Sequence, residues 1–254
     1  MNRIIRYIAQ FVLGLAIAAT AVDAQAQMAL KGKLLFQDDF KTPADYKSTP
    51  QPLGDGWSVQ IAHADWKRTN GGVQSLFKSG HMPVLQFNCD HVFSNVVIEV
   101  DFRFHKEPGT NKGAACRISP TNPALNRNAY SASVWANQDS KDRAPGMVLE
   151  HDEWKPGGII TVDHKAVELK SGKWYRVRME LIGNAALANC NGVTVYGTEE
   201  HFGLPKTTVA LGAGYCVHDF RRFRIYEARS NPKWTSPVAE KAIPAAKAGT
   251  SSGK

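Results

Sequence analysis

The sequence predicts an all-β protein, two antiparallel sheets packed face to face, and three observations carry that prediction. Apolar residues recur at every second place in several segments. Turn-forming residues punctuate those segments at short intervals. No long amphipathic helical pattern follows the first 26 residues.

The clearest strand is Val96-Val97-Ile98-Glu99-Val100-Asp101-Phe102-Arg103-Phe104, whose even positions are all apolar while Glu99, Asp101 and Arg103 face the other way. A period of two is the side-chain repeat of a strand, so one face is expected on a core and the other toward solvent or ligand. Tyr175, Val177, Met179 and Leu181 alternate with Arg176, Arg178 and Glu180, and Phe223 and Ile225 alternate with Arg222 and Arg224. Between such runs lie Leu53-Gly54-Asp55-Gly56, Asn70-Gly71-Gly72, Glu107-Pro108-Gly109, Lys155-Pro156-Gly157-Gly158, Ser171-Gly172 and Asn191-Gly192. Their spacing suits a sandwich rather than βαβ units. A turn or two of helix is expected around 122–128. No fixed-period repeat is visible, which argues against a propeller or solenoid.

The two ends read differently from the body. Arg3 and Arg6 precede an apolar run from Phe11 to Val22, followed by Ala24-Gln25-Ala26 with small residues at both cleavage-determining places. That layout predicts a signal peptide over 1–26, too short in its apolar part to anchor in a bilayer, and hence an exported protein, periplasmic or extracellular. A short lead, 27–32, precedes the domain expected over 33–228. From 229 to 254 the chain is rich in Pro, Ala, Lys, Ser and Gly, a composition that cannot repay the entropy of ordering.

The net charge of +8 shrinks once these ends are set aside. The tail holds Arg229, Lys233, Lys241, Lys247 and Lys254 against Glu240, and the leader holds Arg3 and Arg6 against Asp23. Most of the positive excess is therefore outside the body, and no basic helix or aromatic-basic motif accompanies it, so nucleic acid is not an expected partner. No segment after the leader is long enough to span a membrane. No HExxH pair, GxSxG elbow, P-loop or dinucleotide fingerprint occurs, which leaves zinc proteases, serine hydrolases and nucleotide enzymes without support.

Cys89, Cys116, Cys190 and Cys216 all fall in the body; export permits disulfides among them, with three pairings open, and buried thiols are the alternative. No two have CxxC spacing, so a zinc ribbon is not expected. Asp38, Asp39 and Asp219 are hard oxygen donors of the kind calcium takes, but Arg221 and Arg222 beside Asp219 oppose an ion; the reading is no cofactor and no metal.

The densest polar cluster is Glu150-His151-Asp152-Glu153-Trp154, where carboxylate and imidazole groups stand beside a ring that can stack on a sugar. The alternative is a solvated charged loop before the 155–158 turn. Trp66, after His63 and Asp65, is either a ligand-facing ring or a core anchor. Arg117 on an interior strand needs a partner, and Trp135 with Tyr130 stands near it in the fold expected.

In order along the chain, Leu35-Phe36-Gln37-Asp38-Asp39-Phe40, Gly56-Trp57-Ser58-Val59 and Trp66-Lys67-Arg68-Thr69-Asn70-Gly71-Gly72-Val73 resemble the opening of the 3-keto-disaccharide hydrolase family. Asn95 to Phe104, Gly113-Ala114-Ala115-Cys116-Arg117, Gly172-Lys173-Trp174-Tyr175-Arg176-Val177, Asn191-Gly192-Val193 and Phe220 to Glu227 continue the likeness over nearly all of 33–228. The family's members are concanavalin-like jelly rolls, related in shape to laminarinase-type glycoside hydrolases. The resemblance implies a two-sheet antiparallel jelly roll of the lectin and glucanase type that meets carbohydrate. In many members a Glu-x-Gln-x-x-Asp pattern follows the Arg strand. Arg117 matches here, but Ser131 and Ser133 occupy the acidic and amide places. The laminarinase-type E-x-D-x-x-E run is incomplete as well, with Lys155 after Glu150 and Asp152, and Phe104 after Glu99 and Asp101.

The expected ligand is therefore a saccharide, held by Arg117, Trp135, Trp154 and Trp66. If the chain cleaves it, Glu150 or Asp152 serves as general base and His151 carries the proton. The competing expectation is a non-catalytic, lectin-like or structural module of the cell envelope.

Overall fold

A computed structural model of the chain describes residues 27–40, 45–46, 57–61, 64–69, 72–78, 82–105, 113, 115–121, 130–136, 145–153 and 158–236. Residues Lys31–Arg229 form one compact unit, and the described ends, 27–30 and 230–236, belong to a second. Within the latter, the Asn231 amide donates to the Gln27 carbonyl at 2.7 Å, and its backbone N–H donates to that of Met28 at 2.9 Å.

Sixteen strands are described: β1 (Ala29–Asp38), β2 (Asp45–Tyr46), β3 (Trp57–Ile61), β4 (Ala64–Thr69), β5 (Gly72–Phe77), β6 (Val84–Phe93), β7 (Val96–His105) and β8 (Ala115–Thr121) come first. After them come β9 (Tyr130–Trp135), β10 (Gly146–Glu153), β11 (Gly158–Lys165), β12 (Tyr175–Ile182), β13 (Ala185–Cys190), β14 (Val193–Thr198), β15 (Lys206–Ala213) and β16 (Val217–Ser230). One sheet of nine runs β14-β13-β12-β7-β16-β5-β4-β2, with β1 also on β16; the other, of seven, runs β11-β10-β9-β8-β15-β6-β3. Every described pairing is antiparallel, as in β12 on β7 and β8 on β15. The fold is the two-sheet antiparallel sandwich that the alternation predicted, and the jelly roll that the family resemblance implied.

The predicted alternating segments are strands. Val96, Ile98, Val100, Phe102 and Phe104 of β7 and Tyr175, Val177, Met179 and Leu181 of β12 all lie in the core between the sheets. An aromatic group fills one end: Trp57 has Phe40, Phe87 and Phe223 at ring distances of 5.5, 5.3 and 5.1 Å. Asn191 and Gly192, with φ of 52° and 80°, form the two-residue hairpin turn between β13 and β14. Both angles lie in the left-handed region that Asn and Gly tolerate best. Gly172 takes φ of 77° in the turn before β12. The turn signals at 53–56 and 107–109, and the helical turn expected at 122–128, lie outside the described residues.

One expectation needs correction. The second face of β7 is not solvated, since Glu99 and Asp101 are each only 5% exposed. Neighbouring strands cover it with cations. Arg178 stands opposite Glu99 and Arg176 opposite Asp101 on β12. Arg176 meets Asp101 at 2.6 Å, while Arg178 and Lys31 meet Glu99 at 3.2 and 2.8 Å. On the other side, β16 shifts register between Arg221 and Arg224, with Arg222 at φ 55°. This bulge brings both Arg221 and Arg222 to Asp101, at 3.6 and 3.4 Å, and turns Phe223 into the core. Asp219 accepts from Gln74 at 2.8 Å, from Arg103 at 2.6 Å and from His105 at 2.8 Å. Burial pushes its carboxyl up, but the hydrogen bonds from His105, Arg103 and Gln74 outweigh that and hold it below the usual carboxylate range. Trp174 lies under Arg221 and Arg103, whose guanidinium carbons are 3.8 and 4.7 Å from its ring centre.

The three carboxylates considered for calcium are each taken by protein donors. Asp38 accepts from Trp57 Nε1 at 2.9 Å and from Arg68, Asp39 pairs with Arg224 at 2.9 Å, and Asp219 has the three donors above. The disulfide candidates Cys89, Cys116, Cys190 and Cys216 stand as thiols. Cys116 and Cys190 lie in the core, where burial pushes the Cys190 thiol up to about 12 and that of Cys116 well above its ordinary value.

Candidate functional site

Strands β8, β9 and β10 are consecutive neighbours in the seven-stranded sheet. Cys116 and Ile118, Ala132 and Val134, and Met147 and Leu149 go into the core. Alternation therefore sends Arg117, Ser119 and Thr121, Ser131, Ser133 and Trp135, and Val148 and Glu150 to the outer face. Register then sets them in rows: Arg117 beside Ser133, Ser133 beside Val148, and Ser131 beside Glu150.

The result is an ion pair that reaches across a strand. Arg117 on β8 and Glu150 on β10 flank β9, with Glu150 two residues along from the row of Arg117, so the two are roughly 11–12 Å apart at the backbone given the usual strand spacing and rise. Yet an Arg117 Nη lies 2.7 Å from Glu150 Oε2. The span closes because β9 carries only serines beneath it. Arg117 Nε donates to Ser133 Oγ at 3.2 Å, and Ser131 Oγ donates to Glu150 at 3.3 Å. Room is made on the far side as well, where Gly212 faces Arg117. A Cβ there would lie 2.7 Å from Met82 Sδ and 3.1 Å from the Arg117 Cβ. Burial is deep, with Glu150 2% exposed and the Arg117 side chain 15%.

Polar groups continue along this face. The hydroxyls of Thr121 and Thr208 share a hydrogen bond at 2.5 Å, and Gln86 donates to the exposed Asn88 at 2.8 Å. Gln86 lies beside Ala210 and Ala210 beside Ser119, so amides and hydroxyls follow one another across β6, β15 and β8. At the other end, Trp135 packs with Ala115 and Val148, with Met82 and Tyr215 against them. Hydroxyl, amide and one guanidinium–carboxylate pair on an apolar-ended face are the groups that recognise a polyhydroxyl ligand.

The sequence candidates divide. Arg117 and Glu150 come together, and Trp135 shares their face. Trp135 is 0% exposed, however, and supports the wall through packing rather than offering a ring to a ligand. Trp66 is not at the site: it lies in the core on β4, 1% exposed, with the Phe220 ring 6.1 Å away. His151 follows Glu150 and so turns to the opposite face, where it is 4% exposed and its ring lies 4.4 Å from that of His201. The pairing of Glu150 with His151 as one catalytic group fails on that alternation. Asp152 is placed in β10 opposite Ile159, but its side chain, that of Tyr130 and all of Trp154 lie outside the described residues. Sequence reasoning missed Ser131 and Ser133 as the spacers that admit the pair. Their small size under an interior-strand Arg was the available signal.

The model of the 3-keto-alpha-glucoside-1,2-lyase-like domain matches residues 49–225. None of the curated proteins compared with the chain matches it in sequence. Among solved structures, a non-specific endo-β-1,3(4)-glucanase of family GH16 superposes with TM-score 0.53 at 12% identity, over 81% of this chain and 97% of its own. The carbohydrate-binding module CBM66 from Bacillus subtilis gives 0.52 at 16%, over 68% and 96%. A CBM2 module of the evolved Dit of Lactobacillus casei BL23 phage J-1 gives 0.55 at 9%, over 78% and 96%. At these identities the likeness is one of fold. No helix among the described residues is long and apolar enough to cross a membrane.

Proposed function

Because the chain belongs to the 3-keto-alpha-glucoside-1,2-lyase-like domain family, we propose that it is an exported jelly roll that cleaves a 3-keto-glycoside on the outer face of its seven-stranded sheet. The leader read over 1–26 supports export. The observation that carries the reading is the Arg117–Glu150 pair, which places a carboxylate from β10 above Ser131. That is where many relatives carry the acid on β9 itself, so β10 makes good the loss.

The chemistry follows from the ketone. A carbonyl at C3 acidifies the proton on C2. A carboxylate at Glu150 takes that proton, and the C2–H electrons pass into an enolate with charge on the C3 oxygen. Its collapse re-forms the ketone, makes the C1–C2 double bond and breaks the bond from C1 to the glycosidic oxygen. The departing oxygen takes a proton from water, and the hydroxide left behind takes the proton held by Glu150, which restores the base. Arg117 donates to the C3 oxygen as negative charge gathers there, which lowers the barrier most where water is excluded.

The test uses a 3-keto-glucoside with a chromogenic aglycone. Glu150→Gln is expected to lower kcat by about 100-fold or more, in the range of a lost general base, and Asp152→Asn decides whether the second acid shares the work. Unchanged turnover in Glu150→Gln removes that residue from the mechanism.

A second reading is favoured by one observation: Glu150 is 2% exposed and already paired. A carboxylate so placed also suits a lectin-like module, in which the pair braces the face and the open groups Gln86 and Asn88 meet the sugar. Calorimetric binding of a saccharide with no aglycone release would select this reading.

A further inference from the structure

The face of β10 opposite Glu150 carries a different constellation. His151 projects there, and the connection from β14 to β15 forms a 3-10 turn, Glu200–Gly203, that brings Glu199 and His201 to it. One ligating atom from each of His151, Glu199 and His201 lies within 4.8 Å of the others. His201 Nδ1 stands 4.0 Å from a Glu199 carboxylate oxygen, beyond hydrogen-bond reach. That same nitrogen is buried and makes no hydrogen bond. A buried imidazole nitrogen that makes no hydrogen bond is a donor without an acceptor or an acceptor without a donor.

The turn is held in place independently of these three side chains. The Glu199 N–H donates to the Asn184 carbonyl at 2.8 Å, and Phe202 fills the core with no exposure. Beneath it, Lys206 Nζ donates to the carbonyls of Phe202 and Leu204, both at 2.7 Å, and of Ser94 at 3.1 Å. On the other side, His151 is fixed by backbone pairing with Tyr130 and Ile160. The two imidazole rings lie 4.4 Å apart at 32°. The donors lie within 4.8 Å of one another, wider than the roughly 3.3 Å set by tetrahedral bonds of about 2.0–2.1 Å, so an ion would draw the partly exposed Glu199 and His201 inward.

We propose that His151, Glu199 and His201 bind one divalent transition-metal ion of the zinc type. Two imidazoles and one carboxylate select such an ion over calcium or magnesium, which take oxygen donors. Glu199 and His201 keep side-chain exposures of 31% and 39%, so a fourth position opens to water. His151 belongs to the seven-stranded sheet and the turn follows a strand of the nine-stranded one, so the ion clasps the sheets together at this edge.

The experiment uses the tag-free chain, stripped with a chelator and titrated with zinc chloride in a calorimeter. One zinc per chain is expected, with a higher Tm, no response to calcium, and visible absorption bands of a four-coordinate site when cobalt(II) replaces zinc. His201→Ala and Glu199→Gln, both partly exposed, are each expected to weaken binding by about tenfold or more. His151→Gln should do the same, and if it does not fold the other two variants still decide. Zinc uptake well below one equivalent, or uptake unchanged in both His201→Ala and Glu199→Gln, overturns the proposal. Sugar turnover forms no part of the readout, so the outcome is independent of the lyase reading.

Discussion

The two sheets differ in what they do with the face turned from the core. On the nine-stranded sheet, Glu99 has Lys31 and Arg178, Asp101 has Arg176, Arg221 and Arg222, and Asp219 is shared among Arg103, His105 and Gln74. On the seven-stranded sheet, the described outer face carries a single ion pair, Arg117 with Glu150, among hydroxyls and amides. The first arrangement is redundant, since any one cation can go while the carboxylate keeps others. The second is not. A buried charge with one counter-charge is costly to break, and it is also the kind of group that a ligand can engage without competing against several ions.

Breaking the single pair should have the largest effect. Arg117→Met leaves Glu150 buried and unpaired, and is expected to cost about 3–5 kcal/mol in urea denaturation. Adding Glu150→Met should recover most of that. A single-variant loss below about 1 kcal/mol, the scale of an exposed pair, would put the two faces on the same footing.

A pH titration of stability comes next, because it separates the charged face from the core just beneath it. His218 precedes Asp219 on β16 but points inward, 0% exposed, with its Nδ1 2.9 Å from the Cys216 carbonyl. Burial lowers its pKa from 6.5 to about 4. Between those values the unfolded chain binds a proton that the folded one refuses, so stability falls as pH falls through that window. The loss approaches about 3 kcal/mol, and His218→Phe should flatten the curve there. Asp219 acts lower: its folded pKa lies below 3.8, so the stability its partners supply is lost only as pH falls through that lowered value.

Smaller still is the effect of a wedge. Ser133→Leu puts a branched side chain under the Arg117 bridge and should cost about 1–3 kcal/mol, the range for overpacking, while the far face is untouched. The smallest change is expected from Arg176→Ala. Its side chain is 49% exposed and Asp101 retains two other cations, so the loss should stay within about 1 kcal/mol.

These contrasts also mark how far the sequence could be read. The strands at 96–104 and 175–181 were legible because alternation is local. What covered their polar faces was not, since Arg221 and Arg222 reach Asp101 only through a bulge on a strand more than a hundred residues away. Arg117 could be singled out because an interior-strand guanidinium requires a partner. Its partner could not, because the choice of Glu150 depends on strand order and on two serines small enough to pass over. Alternation, applied within the 150–154 cluster, would have separated Glu150 from His151, which the sequence reading grouped as one catalytic set. Trp66 shows the reverse failure, since a ring between polar neighbours reads alike in a core and at a binding edge. Glu199 and His201 gave no warning, because the third donor, His151, lies far back in the chain.

The buried ammonium of Lys206 has a practical consequence. Desolvation lowers its pKa to about 8, so at mildly alkaline pH much of it is the neutral, nucleophilic amine. Its three carbonyl partners and lack of exposure nonetheless keep acylating reagents away. Modification at this one position, followed by mass spectrometry against time, therefore clocks how often the 199–206 segment lifts off the sandwich.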